Sequence, residues 1–127
     1  MSKSFIFNEN IDLQSINDLY GDDYQMIGEV FASVLNELDP LIDTIIACYE
    51  AEDLPALRAA VHKIKPLFGF SGLISIESNC LQFENTCQKT PSFDALKNEF
   101  TLLRDNLLKG KAVLEAEKER LRVFNVQ

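Results

Sequence analysis

The chemistry this chain can do concentrates around its single histidine, His62, in the stretch Ala60-Val-His-Lys-Ile-Lys-Pro-Leu-Phe-Gly-Phe-Ser-Gly72. A helix through this stretch, at ~100° per residue, aligns Leu57, Val61, Ile64 and Phe68 on one face, with Leu54 at its edge. Such a stripe must be buried. His62 then lies roughly 120° from the stripe's centre, at the edge of the solvent-facing side. Lys65 and Gly69 follow on the imidazole's side, one and two turns on. An unperturbed imidazole titrates near ~6.5, so its neutral, nucleophilic form is available at neutral pH. A lysine one turn away neutralises an incoming anionic group, and a residue without a side chain leaves room for a bulky partner. These residue types at this spacing suit a histidine that receives a phosphoryl group. The same spacing also describes an ordinary surface histidine beside a helical lysine, which a short motif alone does not exclude.

The elements that must position His62 are helical throughout. Residues 1 to 10 form a lead-in, with Phe5 and Phe7 apolar enough to dock on the rest and Ile6 facing the other way. Asp12 caps a short helix through Tyr20 that carries Leu13, Ile16 and Leu19 on one face and ends at Gly21. Asp22 or Asp23 opens a long helix to about residue 50, whose apolar phase from Met26 to Tyr49 runs unbroken across Pro40 and predicts one kinked helix rather than two. Asp53 caps the histidine helix, Pro55 sits in its first turn, and Ser71-Gly72 ends it after Phe70. Proline at position 66 has no N–H for the carbonyl of His62, which predicts a local bend between residues 62 and 66.

A further helix spans about Leu73 to Lys89, with Ile76, Cys80, Phe83 and Cys87 inward. Thr90-Pro91-Ser92 is a loop with Ser92 as the cap. The last helix carries a near-heptad seam of Phe93, Leu96, Phe100, Leu103, Leu107, Gly110 and Leu114. The charged run Glu-Ala-Glu-Lys-Glu-Arg after Leu114 predicts that residues 115–127 project past the core and fray. Together these predict an all-α fold: an antiparallel up-down four-helix bundle with a short additional N-terminal helix, in one domain over residues 1–127.

Composition narrows the function classes. At 127 residues and 46% hydrophobic, the chain is long enough for one real core. A net charge of −8 argues against nonspecific binding to nucleic acid or to an anionic membrane. The opening residues lack the apolar run of a signal peptide, and no run approaches the ~20 residues of a membrane span, so a cytoplasmic location is expected. Cys48, Cys80 and Cys87 show no Cys-x-x-Cys spacing and read as reduced core residues. One histidine with scattered thiols supplies no tetrahedral metal set.

His62, Lys65, Pro66 and Gly72 resemble the motif of the histidine-containing phosphotransfer (HPt) domain: His-x-x-Lys, a turn-forming residue, then Gly ten positions after the histidine. The segment IDLQSINDLYGDDYQMIGEVF resembles that domain's first helices, and YEAEDLPALRAAVHKIK its approach to the histidine. The likeness spans roughly residues 8 to 120. The family usually has Gly where this chain has Pro66, and often Gln or Glu near the imidazole on the next helix, a position matched by Glu84.

The resemblance implies a phosphocarrier rather than an enzyme. His62 would take a phosphoryl group from a receiver-domain aspartate and pass it to another receiver, with Lys65 and Lys63 contacting the phosphate and Glu84 fixing the imidazole tautomer. It implies partners that are response regulator receiver domains and a hybrid sensor kinase, docking through Ile16, Leu19, Met26, Pro66 and Gly69. The chain itself would be a monomer with no bound cofactor, Mg²⁺ being supplied by the receiver. No glycine-rich phosphate loop suggests ATP binding. The alternative is a helical adaptor that binds a partner without phosphorylation. A hydrolase using His62 as a base would need a serine or cysteine at a matching spacing, and none is placed.

Overall fold

Three aspartates start three helices. The carboxylate of Asp12 accepts the N–H of Ser15 at 2.8 Å, that of Asp23 the N–H of Met26 at 3.0 Å, and that of Asp53 the N–H of Ala56 at 3.2 Å. Each satisfies an amide that the first helical turn leaves without a partner. The computed structural model describes residues 4–89 and 92–127. It contains α1 (Leu13–Tyr20), α2 (Tyr24–Glu50), α3 (Leu54–Phe70), α4 (Ile74–Lys89), a 3₁₀ turn (Asp94–Leu96) and α5 (Lys97–Asn125). Both α2 and α3 run unbroken through their internal prolines, Pro40 and Pro66.

Helices α2 to α5 form the bundle, each packing against its neighbours in the order α2, α3, α4, α5 and back to α2. Cross-helix contacts show alternating directions. On α3 and α4, His62 meets Glu84 while the backbone at Gly69 faces Glu77. On α2 and α5, Lys111 pairs with Asp39 at 2.6 Å while Gly28 lies against Leu121 and Asn125. The core is apolar along the expected stripes: Leu57, Val61, Ile64 and Phe68 of α3 are fully buried, facing Phe31, Leu38, Cys80, Phe83 and Leu103 in one cluster. Among the described residues no helix is long and apolar enough to cross a membrane.

Two glycines are required by shape. Gly72 has φ +75°, a left-handed position that suits a residue without Cβ. It closes a Schellman motif at the end of α3, in which Leu73 N–H donates to Phe68 O and Gly72 N–H to Gly69 O. The carbonyl of Gly72 then accepts the N–H of Asp12 at 2.8 Å, and the Tyr20 hydroxyl donates to Phe70 O at 2.7 Å. These two bonds tie α1 to the C-terminal end of α3. Gly110 lets α5 approach α3 and α4, since a Cβ there would stand 2.8 Å from Ile76 Cδ1 and 2.9 Å from Phe68 Cε1.

The C-terminal stretch departs from expectation. Residues 115–125 do not fray; they continue α5, with Glu117 and Leu121 buried at 2% and 0% exposure. Helices α2 and α5 are longer than α3 and α4, and their extra turns are covered by the lead-in instead. Phe5 stacks edge-on against Phe7 and Phe124, and Tyr24 against Phe124. The Glu117 carboxylate accepts the Asn8 N–H at 2.9 Å and pairs with Arg120, whose guanidinium also donates to Ile6 O. Ile6 itself points away and is exposed. Ser92 does not cap the last helix: the 3₁₀ turn intervenes and α5 starts without a side-chain cap. Thr90 and Pro91 of the expected loop lie outside the described residues.

If the tail is core, Leu121→Ala costs about 2–5 kcal/mol of stability, as buried leucines do. Val126→Ala, at an exposed position, stays within about 0.5 kcal/mol. Urea denaturation followed by circular dichroism checks both, and equal midpoints for the two variants contradict a packed tail.

Candidate functional site

The α3 stripe that faces the core leaves His62 outside, with its side chain 71% exposed. Helix α4 runs antiparallel beside it and brings Glu84 opposite the imidazole, although the two are 22 residues apart. Glu84 Oε1 lies 2.7 Å from His62 Nδ1, and its other oxygen, Oε2, accepts from Lys65 Nζ at 2.7 Å. The Glu84 residue is only 7% exposed, so its charge is held between helices with a cation as partner. Lys65 Nζ lies 3.5 Å from the same imidazole nitrogen. The three side chains form a closed triangle on the α3–α4 seam.

The geometry assigns the two ring nitrogens different states. A carboxylate already paired with a lysine accepts the hydrogen bond, so Nδ1 carries the proton. The other nitrogen, Nε2, has no partner among the described residues. An imidazole held in this way is oriented by a buried acceptor and exposed on its far side. Lys63 is exposed and forms no ion pair among the described residues. It is not part of the triangle.

Two depressions flank His62 along α3. Toward the helix start, an open hollow of about 380 Å³ is lined by Pro55, Arg58, Ala59, His62 and Glu84. Toward the helix end, a groove of about 580 Å³ begins one turn past His62, at Pro66, and runs between α1 and the start of α4. Leu19, Gly69, Phe70 and Ile74 line it, with Asp12, Asp18 and Glu77 at its rim.

The expected docking residues divide. Leu19, half-exposed, lines the groove with Pro66 and Gly69. Met26 is exposed in the first turn of α2 and does not line it. Ile16 is a correction: it is fully buried, because α1 lies on the turn after α3 and Ile16 packs against Gly72. Gly69 lines the groove, and the end of the Glu77 side chain lies over it, so an added Cβ would have to push that carboxylate aside. Reading the chain forward from the histidine missed Phe70, half-exposed in the groove, and Arg58, one turn before His62. The i−4 spacing of Arg58 was the signal that could have found it.

Neither Cys80 nor Cys87 supplies a competing nucleophile. Burial pushes the Cys80 thiol up to about 12 and the Cys87 thiol up to about 11, leaving both uncharged at neutral pH.

A model of the Hpt domain family matches residues 29–121, which include His62, Lys65 and Glu84. No curated protein matches the chain. Among solved structures, the chain is similar to the crystal structure of the HPT domain from the Hpt sensor hybrid histidine kinase from Shewanella. That likeness has a TM-score of 0.75 at 14% identity and covers 87% of this chain and 95% of that one. At such low identity it speaks for the fold alone.

Glu84→Ala removes the acceptor that holds the imidazole. The ring ¹⁵N shifts of wild-type His62 then report a protonated Nδ1 and a bare Nε2, while Glu84→Ala shows the mixed tautomers of a free imidazole. Identical ring spectra in the two proteins contradict the orienting contact.

Proposed function

The chain belongs to the Hpt domain family, and we propose that its His62 carries a phosphoryl group between the aspartates of two receiver domains. Membership brings a phosphotransfer role in two-component signalling, with receiver domains and histidine kinases as the partner classes. The observation that carries the finer reading is the 2.7 Å contact between His62 Nδ1 and the buried Glu84, which leaves Nε2 free on the exposed side.

The step follows from those atoms. The Nε2 lone pair attacks phosphorus in line with the phosphorus–oxygen bond of an aspartyl phosphate. That bond breaks, the aspartate leaves as its carboxylate, and a bond from Nε2 to phosphorus forms. The imidazole becomes cationic as it is phosphorylated, and Glu84, still bonded to the Nδ1 proton, stabilises that charge. Lys65 stands beside the ring and, shared with Glu84, offsets part of the phosphate charge. The receiver supplies Mg²⁺ and the acidic pocket, so this chain contributes a half-site and no ATP chemistry of its own. Transfer in the other direction reverses each bond change. The exposed Leu19 and Phe70, with Pro66, offer the receiver an apolar contact beside the histidine. This reading places the chain in the cytoplasm as a monomer.

The test is incubation with a phosphorylated receiver domain and Mg²⁺. Acid-labile label appears on the wild type and is absent from His62→Gln; acid-stable label, or label surviving that change, sinks the assignment. A helical adaptor would instead bind the receiver with no transfer at all. Leu19→Asp weakens receiver binding about tenfold, or ~1.4 kcal/mol, with transfer restored at high receiver concentration. Calorimetric titration showing unchanged affinity contradicts the docking face.

A further inference from the structure

The charge count around His62 leaves a phosphoryl group under-compensated. Lys65, the motif cation, is already shared with Glu84 at 2.7 Å, so it offsets only part of the charge of an arriving phosphoryl group. Arg58 stands in a different position. It is exposed, one turn before His62 on the same face of α3, and forms no ion pair among the described residues. Its own helix offers it no carboxylate at pairing distance: the residues three and four away are Leu54, Pro55, Val61 and His62. Across the seam the carboxylate that shares its hollow is Glu84, which already accepts from Lys65 at 2.7 Å.

Lys65 stands 3.5 Å from the Nδ1 edge of the His62 ring, and on the N-terminal side the same ring borders a hollow shared with Arg58 and Ala59. The hollow of about 380 Å³ on that side is lined by Arg58, His62 and Glu84 together with the short Pro55 and Ala59, so no bulky apolar side chain fills it. A planar guanidinium presents paired N–H donors that match phosphate oxygens, which an ammonium does not.

We propose that Arg58 is a second phosphoryl-binding cation of this site, closing on the oxygens of phosphohistidine 62 from the N-terminal side of α3. It rests on His62 being the phosphoryl acceptor, and it assigns the hollow before His62 to the phosphoryl group and the groove after it to the partner. Arg58 donates to the phosphoryl oxygens, while Glu84 keeps the Nδ1 proton and Lys65 keeps Glu84 neutralised. Lys63, whose helical position is turned ~100° from His62, does not share the hollow.

The experiment loads the protein with phosphoramidate, without any receiver. Nε2 attacks phosphorus, the phosphorus–nitrogen bond of the donor breaks, and ammonia leaves. The ³¹P resonance of phosphohistidine 62 is then titrated with pH in wild type, Arg58→Gln, Arg58→Lys and Lys63→Gln. A cation beside the phosphoryl group favours its dianion, so Arg58→Gln raises the titration midpoint by about half a unit, the scale of a partly screened charge pair. Arg58→Lys restores most of the shift, and Lys63→Gln leaves the midpoint unchanged. Hydrolysis of the phosphohistidine in Arg58→Gln changes in parallel, while helix content stays at the wild-type level. Equal midpoints for wild type and Arg58→Gln overturn the proposal, as does a full shift in Lys63→Gln. Failure of the wild type to exchange phosphoryl groups with a receiver would instead overturn the phosphorelay reading, and leaves the titration result standing on its own.

Discussion

A carboxylate buried between two helices must be paired, and the pairing of Glu84 sets the geometry of everything around His62. Removing such a charge from water costs several kcal/mol, which only well-placed partners offset. Both partners come from α3, at positions 62 and 65, and both bonds are 2.7 Å. A slip of α3 against α4 by one turn would leave Glu84 without them. The requirement therefore fixes the register of the two helices as well as the ring. An exposed imidazole, which solvent alone would leave rotating, is held by a group that solvent barely reaches.

The helical layout was legible because it rests on local rules. Aspartate caps, a glycine with positive φ and apolar positions three and four apart name the helices and their inward faces. Periodicity says which side of a helix is apolar but not what comes to cover it. Leu13, Ile16 and Leu19 share a face of α1, yet only the middle one is buried, because α1 meets the turn after α3 through its centre. The charged run after Leu114 looked like a solvated extension for a related reason. Its one deeply buried acid, Glu117, finds Asn8 and Arg120, the former 109 residues away. No local pattern reveals a partner at that distance.

The prolines show the same division between local and long-range information. Pro66 withholds a donor from the carbonyl of His62, which predicts a local bend, and the helix carries on past it because the core side of α3 continues through Ile64, Leu67 and Phe68. Burial of that stripe outweighs one missing hydrogen bond, since each large apolar side chain contributes about 1.5–3 kcal/mol. What proline adds is a rigid ring at the edge of the groove beside the histidine, where the related pattern has glycine.

The joining of the lead-in to the end of α5 has a consequence for the order in which the molecule assembles. The His62–Glu84 contact closes a loop of 22 residues, whereas the Asn8–Glu117 contact spans 109. Closing the longer loop costs more entropy, by about 1.4 kcal/mol on logarithmic scaling. It also depends on α2 and α5 having already met to form the surface on which Phe5 and Phe7 settle. The α3–α4 hairpin can therefore form early as a local unit, while the aromatic clasp at the far end closes late. Transient opening of the native chain should follow the reverse path, with the clasp releasing first and the histidine hairpin persisting longest.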